Sequence, residues 1–341
     1  MRVTSEDGRK PTIIDVAREA SVSQGTASDA LRGSDRVTEE TRKRVKRAAE
    51  NLGYRVNRVA QGLRTGQSGL IALMLPSAGG VEMLAHEYYV SALIGASRAA
   101  VAGDLGLVLL PEIDGDSTGA ELADGVIVID PPRRDPSVKR LRKEGTPVVT
   151  IGADPSLPGD PWAVIADNEE NCRSVLDRLR ASGARRIVLI SSDEPWGWFL
   201  GNEAAYRSWA NEVEMVTTVL SAGPGDRDGA RAATADLLTG EDPPDALLAL
   251  TVDSAIGALE AAQDEGIEVP EGLQIAGLVD GAPLRDGDPA ITCFDLDPVA
   301  QAEAAVKLLM ARIRGEEPSG PVVIDGRLIE RESTRPVRDG G

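Results

Sequence analysis

Apolar positions along this chain follow two regimes, with a change near residue 68. Ile13, Val16, Ala17 and Ala20 stand at i, i+3, i+4 and i+7, which predicts a short helix with one buried face. Thr12 is placed to cap it, and Asp15 occupies the acid position of a capping box. After a break at Ser21 and Val22, Ser23 is the natural N-cap of a second helix running through GTASDAL and burying Ala27, Ala30 and Leu31. A third helix starts at Thr38, with Glu39 and Glu40 in the first turn where acids suit the helix dipole. It buries Val45, Ala48, Ala49 and Leu52 before Gly53 stops it. Two short helices joined by three residues form a helix-turn-helix, and the third closes its core.

Beyond Gly69 the pattern becomes short apolar strands alternating with longer amphipathic stretches. LIALMLP, LVLL, GVIVID, PVVTI and AVIA make one series; RIVLI, EMVTTVL, ALLAL, LQIAGLV and AITCF make another. Helical stretches are expected near 87–102, 169–180, 228–238, 253–265 and 298–314. Near-continuous Val, Ile and Leu strands alternating with helices predict parallel sheets covered on both faces, and two series predict two Rossmann-like lobes. Between Leu110 and Asp124 only PEIDGDSTGAELA intervenes, so a crossover that normally needs a dozen or more residues is expected to hold at most one helical turn.

Charge is distributed unevenly between the regimes. The chain carries 37 Lys and Arg against 55 Asp and Glu, yet residues 1–64 hold 14 basic and 9 acidic side chains, net +5, which leaves net −23 for the remainder. Only the amino-terminal region should attract a polyanion. In that region Arg42, Lys43, Arg44, Lys46 and Arg47 cluster on the third helix, of which one or two are expected on phosphate and the rest in solvent. Asn57 to Arg64 has an apolar edge of Val59, Ala60 and Leu63, but eight residues including Gly62 lie below the ~12–15 at which an isolated helix becomes marginal. It should be helical only when something else holds it.

The runs TIIDVAREASVSQGTASDAL, VTEETRKRVKRAAENLGY and NRVAQGLRTGQSGLIALMLP, in this order and followed by a long α/β region, resemble the amino-terminal signature of the lac repressor (LacI/GalR) family of bacterial transcription regulators. The resemblance implies an all-α helix-turn-helix headpiece at 1–56, a hinge helix and linker at 57–67, and a periplasmic-binding-protein-like effector and dimerisation domain at 68–335. Its first lobe would comprise 68–166 and 293–318, and its second 167–292 and 319–335. It implies a homodimer on a pseudo-palindromic DNA operator, with the second helix in the major groove and the hinge in the minor groove. DNA-facing positions are then Thr12, Ser23, Gln24, Gly25, Thr26, Ser28 and Asp29 in the headpiece, and Asn57, Arg58, Gln61, Leu63 and Arg64 in the hinge, with Leu63 as an intercalating wedge. Asp29 departs from the family, where Arg is common, and removes a bidentate contact to guanine. An acid there either accepts from cytosine N4 or repels phosphate.

The same resemblance implies a small-molecule cleft between the lobes at the strands' carboxyl ends. Tyr88 and Tyr89 match an aromatic pair of which one ring stacks on the effector, although a core role is an equal alternative. Asp167 and Asn168 match a DN motif, and Asp253 the aspartate of an ND motif; each acid is also a natural helix cap. Asn202 stands where an effector-binding Arg is typical, and Asp280 follows Val279 where paired acids are usual. Trp196 and Trp198 lie in EPWGWFLGN just after a strand, as a stacking wall or as anchors of a surface loop. Loss of an Arg and an acid beside a gain of indoles points to an effector less charged than a phosphosugar, such as a neutral sugar or glycoside.

Other classes fit less well. His86 is the only histidine, which argues against a histidine triad or His-rich metal site, and no P-loop or G-x-S-x-G motif appears, so neither an enzyme nor a cofactor is expected. Cys172 and Cys293 have no metal spacing and read as buried thiols of a reducing cytoplasm. No apolar run approaches the roughly 20 residues of a membrane span, and Met1 to Lys10 has no signal-peptide core, which sets a sugar-binding protein of transport aside. A regulator that binds DNA without a small-molecule effector remains an alternative.

Overall fold

A computed structural model describes residues 11–31, 34, 36–54, 66–76, 80–110, 119–223 and 226–337. The chain forms two compact units, residues 1–68 and 69–341. The predicted hinge residues Asn57, Arg58, Gln61, Leu63 and Arg64 lie outside the described residues, as does 111–118 of the shortened crossover.

In the first unit, helices α1 (Ile13–Glu19), α2 (Gln24–Leu31) and α3 (Glu39–Asn51) enclose Val16, Ala17, Ala20, Ala27, Ala30, Val45, Ala48 and Ala49. Each predicted start has its cap. The Asp15 carboxylate accepts from the Thr12 N–H at 2.9 Å and its hydroxyl at 2.7 Å, Ser23 Oγ accepts from the Thr26 N–H at 3.0 Å, and Thr38 Oγ1 from the Thr41 N–H at 3.4 Å. Gly53 takes φ +62°, a conformation only glycine adopts freely, and ends α3 as expected.

In the second unit two six-stranded sheets each carry helices. The first has the order β11-β5-β4-β3-β1-β2, from β1 (Leu70–Met74), β2 (Gly106–Leu110), β3 (Val126–Ile129), β4 (Val148–Ile151), β5 (Ala163–Ile165) and β11 (Val322–Val323). The second has the order β12-β10-β9-β8-β6-β7, from β6 (Ile187–Ser191), β7 (Val219–Ser221), β8 (Ala246–Ala249), β9 (Gln274–Gly277), β10 (Thr292–Asp295) and β12 (Arg327–Ile329). Among the described residues the strand pairings are parallel except β10 with β12. The central strands are buried throughout, which is why their sequences run apolar without alternation.

The helices are α4 (Glu87–Ala102), α5 (Pro136–Lys143), α6 (Asn168–Ala181), α7 (Gly197–Glu212), α8 (Arg227–Leu238), α9 (Val252–Asp264), α10 (Ala282–Arg285) and α11 (Pro298–Ile313). All five predicted helical stretches appear within a residue or so of their expected ends. The short crossover contains one 3-10 turn, Ala120–Leu122, entered through Gly119 at φ +102°.

Three expectations need correction. EMVTTVL is not a strand along its length, because the Met215 N–H bonds back to the Ala210 carbonyl at 2.8 Å to finish α7 and Glu214 turns at φ +56°, leaving only the end of the run to pair with β6. The lobe boundaries also shift. Of segment 293–318, expected in the first lobe, only residues 293–295 depart, since they lie in β10, which pairs with β9 in the second sheet, while helix Pro298–Ile313 packs on the first lobe as expected; β11, expected in the second lobe, pairs through Val322 with Val164 of β5 in the first. The chain therefore passes between sheets after β5, after β10 and after β11.

Candidate effector cleft and DNA-facing helix

Strands β1, β3 and β4 on one side and β6, β8 and β9 on the other end toward a common cleft, the place where open parallel sheets bind ligands. Between the sheets lies a cavity of about 150 Å³, room for about one six-membered ring. Five aromatic side chains line it: Tyr88 and Tyr89 from the first turn of α4, and Trp196, Trp198 and Phe199 from the start of α7. Tyr88 and Tyr89 meet edge to face at 5.2 Å, and Trp196 lies 5.6 Å from Phe199. The polar handles of several rings are already taken. Tyr88 Oη donates to Gln301 Oε1 at 2.9 Å, Trp198 Nε1 donates to the Leu250 carbonyl at 3.0 Å, and Tyr89 Oη faces Asp130 Oδ2 at 3.5 Å. What these rings offer a ligand is chiefly π-face.

Asp130, at the carboxyl end of β3, reaches the same cavity. Burial pushes its carboxyl up from 3.8 to about 7, opposed only by the Tyr89 hydroxyl, and no lysine or arginine pairs with it among the described residues. Burial first, and the nearby Asp130 second, raise both tyrosine hydroxyls well above their usual range. Gly152 makes room for this carboxyl, since a Cβ there would stand 2.5 Å from Asp130 Oδ1. Asp280 lines the cavity too, but Arg331 reaches its two oxygens at 3.0 and 3.1 Å and Arg285 reaches one at 3.2 Å. Burial alone would raise the Asp280 carboxyl; hydrogen bonds from Arg331 and Cys293 outweigh it and hold the group below its ordinary value.

The lobes touch directly around the cavity. Gly197 packs so tightly on the Ala153 carbonyl that a Cβ would lie 2.0 Å from it, the Arg133 N–H donates to the Pro195 carbonyl at 2.8 Å, and His86 Nδ1 approaches Asp253 Oδ2 at 3.5 Å. Glu87 joins Arg285 at 2.7 Å and accepts from the Ala282 N–H at 2.9 Å. A second chamber of about 420 Å³ adjoins the first, sharing Glu87, Tyr88 and Asp280 and adding Arg285, Arg327 and Arg331.

Of the predicted cleft residues, Tyr88, Tyr89, Trp196, Trp198 and Asp280 line the cavity, while Asp167, Asn202 and Asp253 do not. Asp167 caps α6, its Oδ1 accepting from the Glu170 N–H at 3.0 Å, so its neighbour Asn168 reaches the cavity instead. Asn202 is fully buried in α7 with its amide on the Trp198 carbonyl at 2.9 Å. Asp253 faces His86 rather than the cavity, and Thr251, not Asp253, caps α9. Sequence reasoning missed Asp130, Gln301 and Thr251. An acid closing the strand GVIVID was a visible signal for the first, because strand carboxyl ends face the cleft.

In the headpiece Ser23, Gln24 and Gly25 are exposed, and Thr26, Ser28 and Asp29 are partly exposed. A Cβ on Gly25 would meet only Ser23 Oγ at 3.7 Å, so nothing inside the unit requires glycine there. Arg42 is drawn onto Glu39 and the Ser34 carbonyl, and Arg44 donates to the Ala20 carbonyl at 3.0 Å, tying α3 to the end of α1. Lys46 and Arg47 are exposed and unpaired among the described residues.

Residues 12–57 match the model of the bacterial regulatory proteins of the lacI family, and residues 176–334 match a periplasmic binding protein-like domain. The chain is 30% identical over 340 residues to the HTH-type transcriptional regulator CelR of Thermobifida fusca, covering 96% of this chain and 99% of the relative. It is 28% identical to catabolite control protein A of Priestia megaterium, covering 95% and 99%. Among solved structures, a CelR–cellobiose complex aligns with TM-score 0.70 at 27% identity over 95% of this chain and 99% of that one. A lac repressor dimer bound to operator and the anti-inducer ONPF aligns with TM-score 0.77 at 20% identity over 96% and 100%, a likeness of fold. No helix among the described residues is long and apolar enough to cross a membrane. A chain that follows one such regulator from end to end, with the headpiece in its expected place, belongs to the lacI family and is a DNA-binding transcription regulator.

Proposed function

We propose that this regulator is a cytoplasmic homodimeric repressor, without enzymatic activity, whose operator affinity is set by a neutral or donor-rich small molecule, a sugar or glycoside, closed between the two lobes. The observation that carries the reading is the aromatic cavity at the carboxyl ends of both sheets, with no lysine or arginine in its wall among the described residues. Anionic ligands such as phosphosugars would find no counter-charge there. A structural neighbour, CelR, is described in complex with cellobiose, which favours a carbohydrate. Tyr88, Tyr89, Trp196 and Trp198 would supply stacking faces, and Asp130, Asn168 and Asp280 polar contacts.

On the DNA side Ser23, Gln24, Gly25, Thr26, Ser28 and Asp29 would face the major groove, with Thr12, Lys46 and Arg47 at phosphates. The bare Gly25 lets the helix backbone approach the base edges closely. Hinge positions Asn57, Arg58, Gln61, Leu63 and Arg64 would enter the minor groove once a partner chain and DNA hold them, since eight residues cannot sustain a helix alone. Dimerisation is favoured by a stripe on α4, where Val90, Ile94 and Val101 share one face and are 38%, 43% and 76% exposed. Motion between lobes that changes the spacing of two hinges would then couple ligand to DNA.

A thermal-shift series on the full-length protein tests the reading. Cellobiose, or another neutral sugar or glycoside, at about 100 times its dissociation constant should stabilise the protein by about 2.7 kcal/mol. A flat response across a broad sugar library would reject the small-molecule reading and leave a regulator that binds DNA without an effector.

A further inference from the structure

The cavity's charges and hydrogen-bonding groups are unevenly matched. Its wall contains three acids, Glu87, Asp130 and Asp280. Glu87 is held by Arg285, and Asp280 by Arg331 and Arg285. Asp130 has only the Tyr89 hydroxyl at 3.5 Å, in a wall of rings and aliphatic groups, and its peptide N–H is engaged with the Ile151 carbonyl at 2.8 Å. The other ionisable groups facing the cavity are His86, which approaches Asp253, and Tyr88, whose hydroxyl is spent on Gln301. Gln301 in turn spends its amide N–H on the Leu296 carbonyl at 2.7 Å. Asp130 is thus the one acid of the wall without a cation opposite it among the described residues, set beside aromatic faces. A half-buried carboxylate without a counter-charge gains from a ligand that brings one.

We infer that the ligand is a pyranose-sized ring carrying a protonated amine, an amino sugar, whose ammonium sits against Asp130 within the box of Tyr88, Tyr89, Trp196 and Phe199. This rests on the sugar-cleft reading above and narrows it. An ammonium donates up to three hydrogen bonds, gives Asp130 its missing cation, and gains from aromatic faces in a desolvated site. A neutral sugar uses the same faces but leaves the carboxyl without a counter-charge. The volume of about 150 Å³ fits one ring, and the adjoining chamber of about 420 Å³ gives a second ring a path outward.

The test is titration calorimetry on the full-length protein with four probes: glucosamine and its β-1,4-linked dimer against glucose and cellobiose, each between pH 5.5 and 8. The amine probe of each pair should bind at least tenfold more tightly than its neutral isostere at pH 7. Its affinity should rise with pH as Asp130 ionises, and fall again once the amine itself deprotonates. Asp130→Asn should abolish the preference, bringing each amine probe to within about threefold of its own neutral isostere in that variant, and should remove the rise of amine affinity with pH. Binding of cellobiose as tight as or tighter than the amine dimer would overturn the amino-sugar assignment and keep the sugar cleft. So would an amine preference that survives Asp130→Asn. Failure of all four probes to bind would overturn the amino-sugar assignment, and the sugar reading would fall with it only if the broad sugar library gives a flat response as well.

Discussion

Gly197→Ala is expected to prevent the lobes from closing as they do here. The added Cβ would meet the Ala153 carbonyl oxygen at 2.0 Å and its carbon at 3.1 Å, and both are backbone atoms that no rotamer change can move aside. Overpacking of this kind costs about 1–3 kcal/mol. Gly197 begins α7 in the second lobe while Ala153 follows β4 in the first, so separating the lobes relieves the clash without unfolding either. The closed arrangement should become roughly 5- to 150-fold less favourable, and ligand affinity should fall by the same factor, since each 1.4 kcal/mol is tenfold. Small-angle scattering should show a larger radius of gyration than the parent, with the melting profile of each lobe little altered. An unchanged radius and unchanged affinity would mean that this contact does not govern closure.

Asp130→Asn is expected to stabilise the ligand-free protein at alkaline pH. The parent carboxyl is pushed from 3.8 to about 7 on folding, chiefly by burial. A raised acid favours the folded state fully below its unfolded value, and that advantage is lost as pH climbs through the folded value. Between about pH 4 and 7 the parent should therefore lose stability that the asparagine variant keeps. The limit set by the shift is about 4 kcal/mol, lowered by whatever water the cavity admits around the carboxyl. Denaturant unfolding at pH 4.5 and pH 8 measures it. The variant should gain on the parent by about 2–4 kcal/mol between the two pH values, and equal pH slopes would place the Asp130 charge in a solvated setting.

Much of this architecture was legible because its causes are local. Thr12, Ser23 and Thr38 cap helices whose apolar spacing already marked them, and the unbroken Val, Ile and Leu of VIVI and VVTI read directly as strands buried on both faces. Helix α7 was missed because it opens with Gly197 and carries Gly201 and Asn202 early, weak helix formers that serve close contacts instead: Gly201 abuts Asn168, and Asn202 is buried. Helix α5 was missed although Asp135 and Pro136 announce it; eight residues with a basic face gave too short an apolar period. The return path of the last segment was illegible for a different reason. Whether a two-residue strand such as Val322–Val323 joins one sheet or the other depends on partners more than 150 residues away.

The cleft divides in the same way. Aromatics are rare in this chain, so a Trp-Gly-Trp-Phe cluster after a strand stood out, and Tyr88 and Tyr89 were marked by position. Asp167, Asn202 and Asp253 were carried over by position too, yet one is a cap, one is core and one faces His86. A one-residue step along a helix turns a side chain by about 100°, enough to move the cavity contact from Asp167 to Asn168. Asp130 owes its character to a desolvated setting and to the bare Gly152 opposite, neither of which is visible in linear sequence.

Ligand-controlled reading of a specific duplex by the basic headpiece is the behaviour expected of this chain. Its most direct measurement is fluorescence anisotropy of the full-length protein on genomic duplexes against random competitor, with and without a saturating cleft ligand. One pseudo-palindromic duplex should be preferred by roughly a thousandfold or more, and the ligand should change that affinity by at least about tenfold. Equal affinity for every duplex, with ligand present or absent, would contradict it.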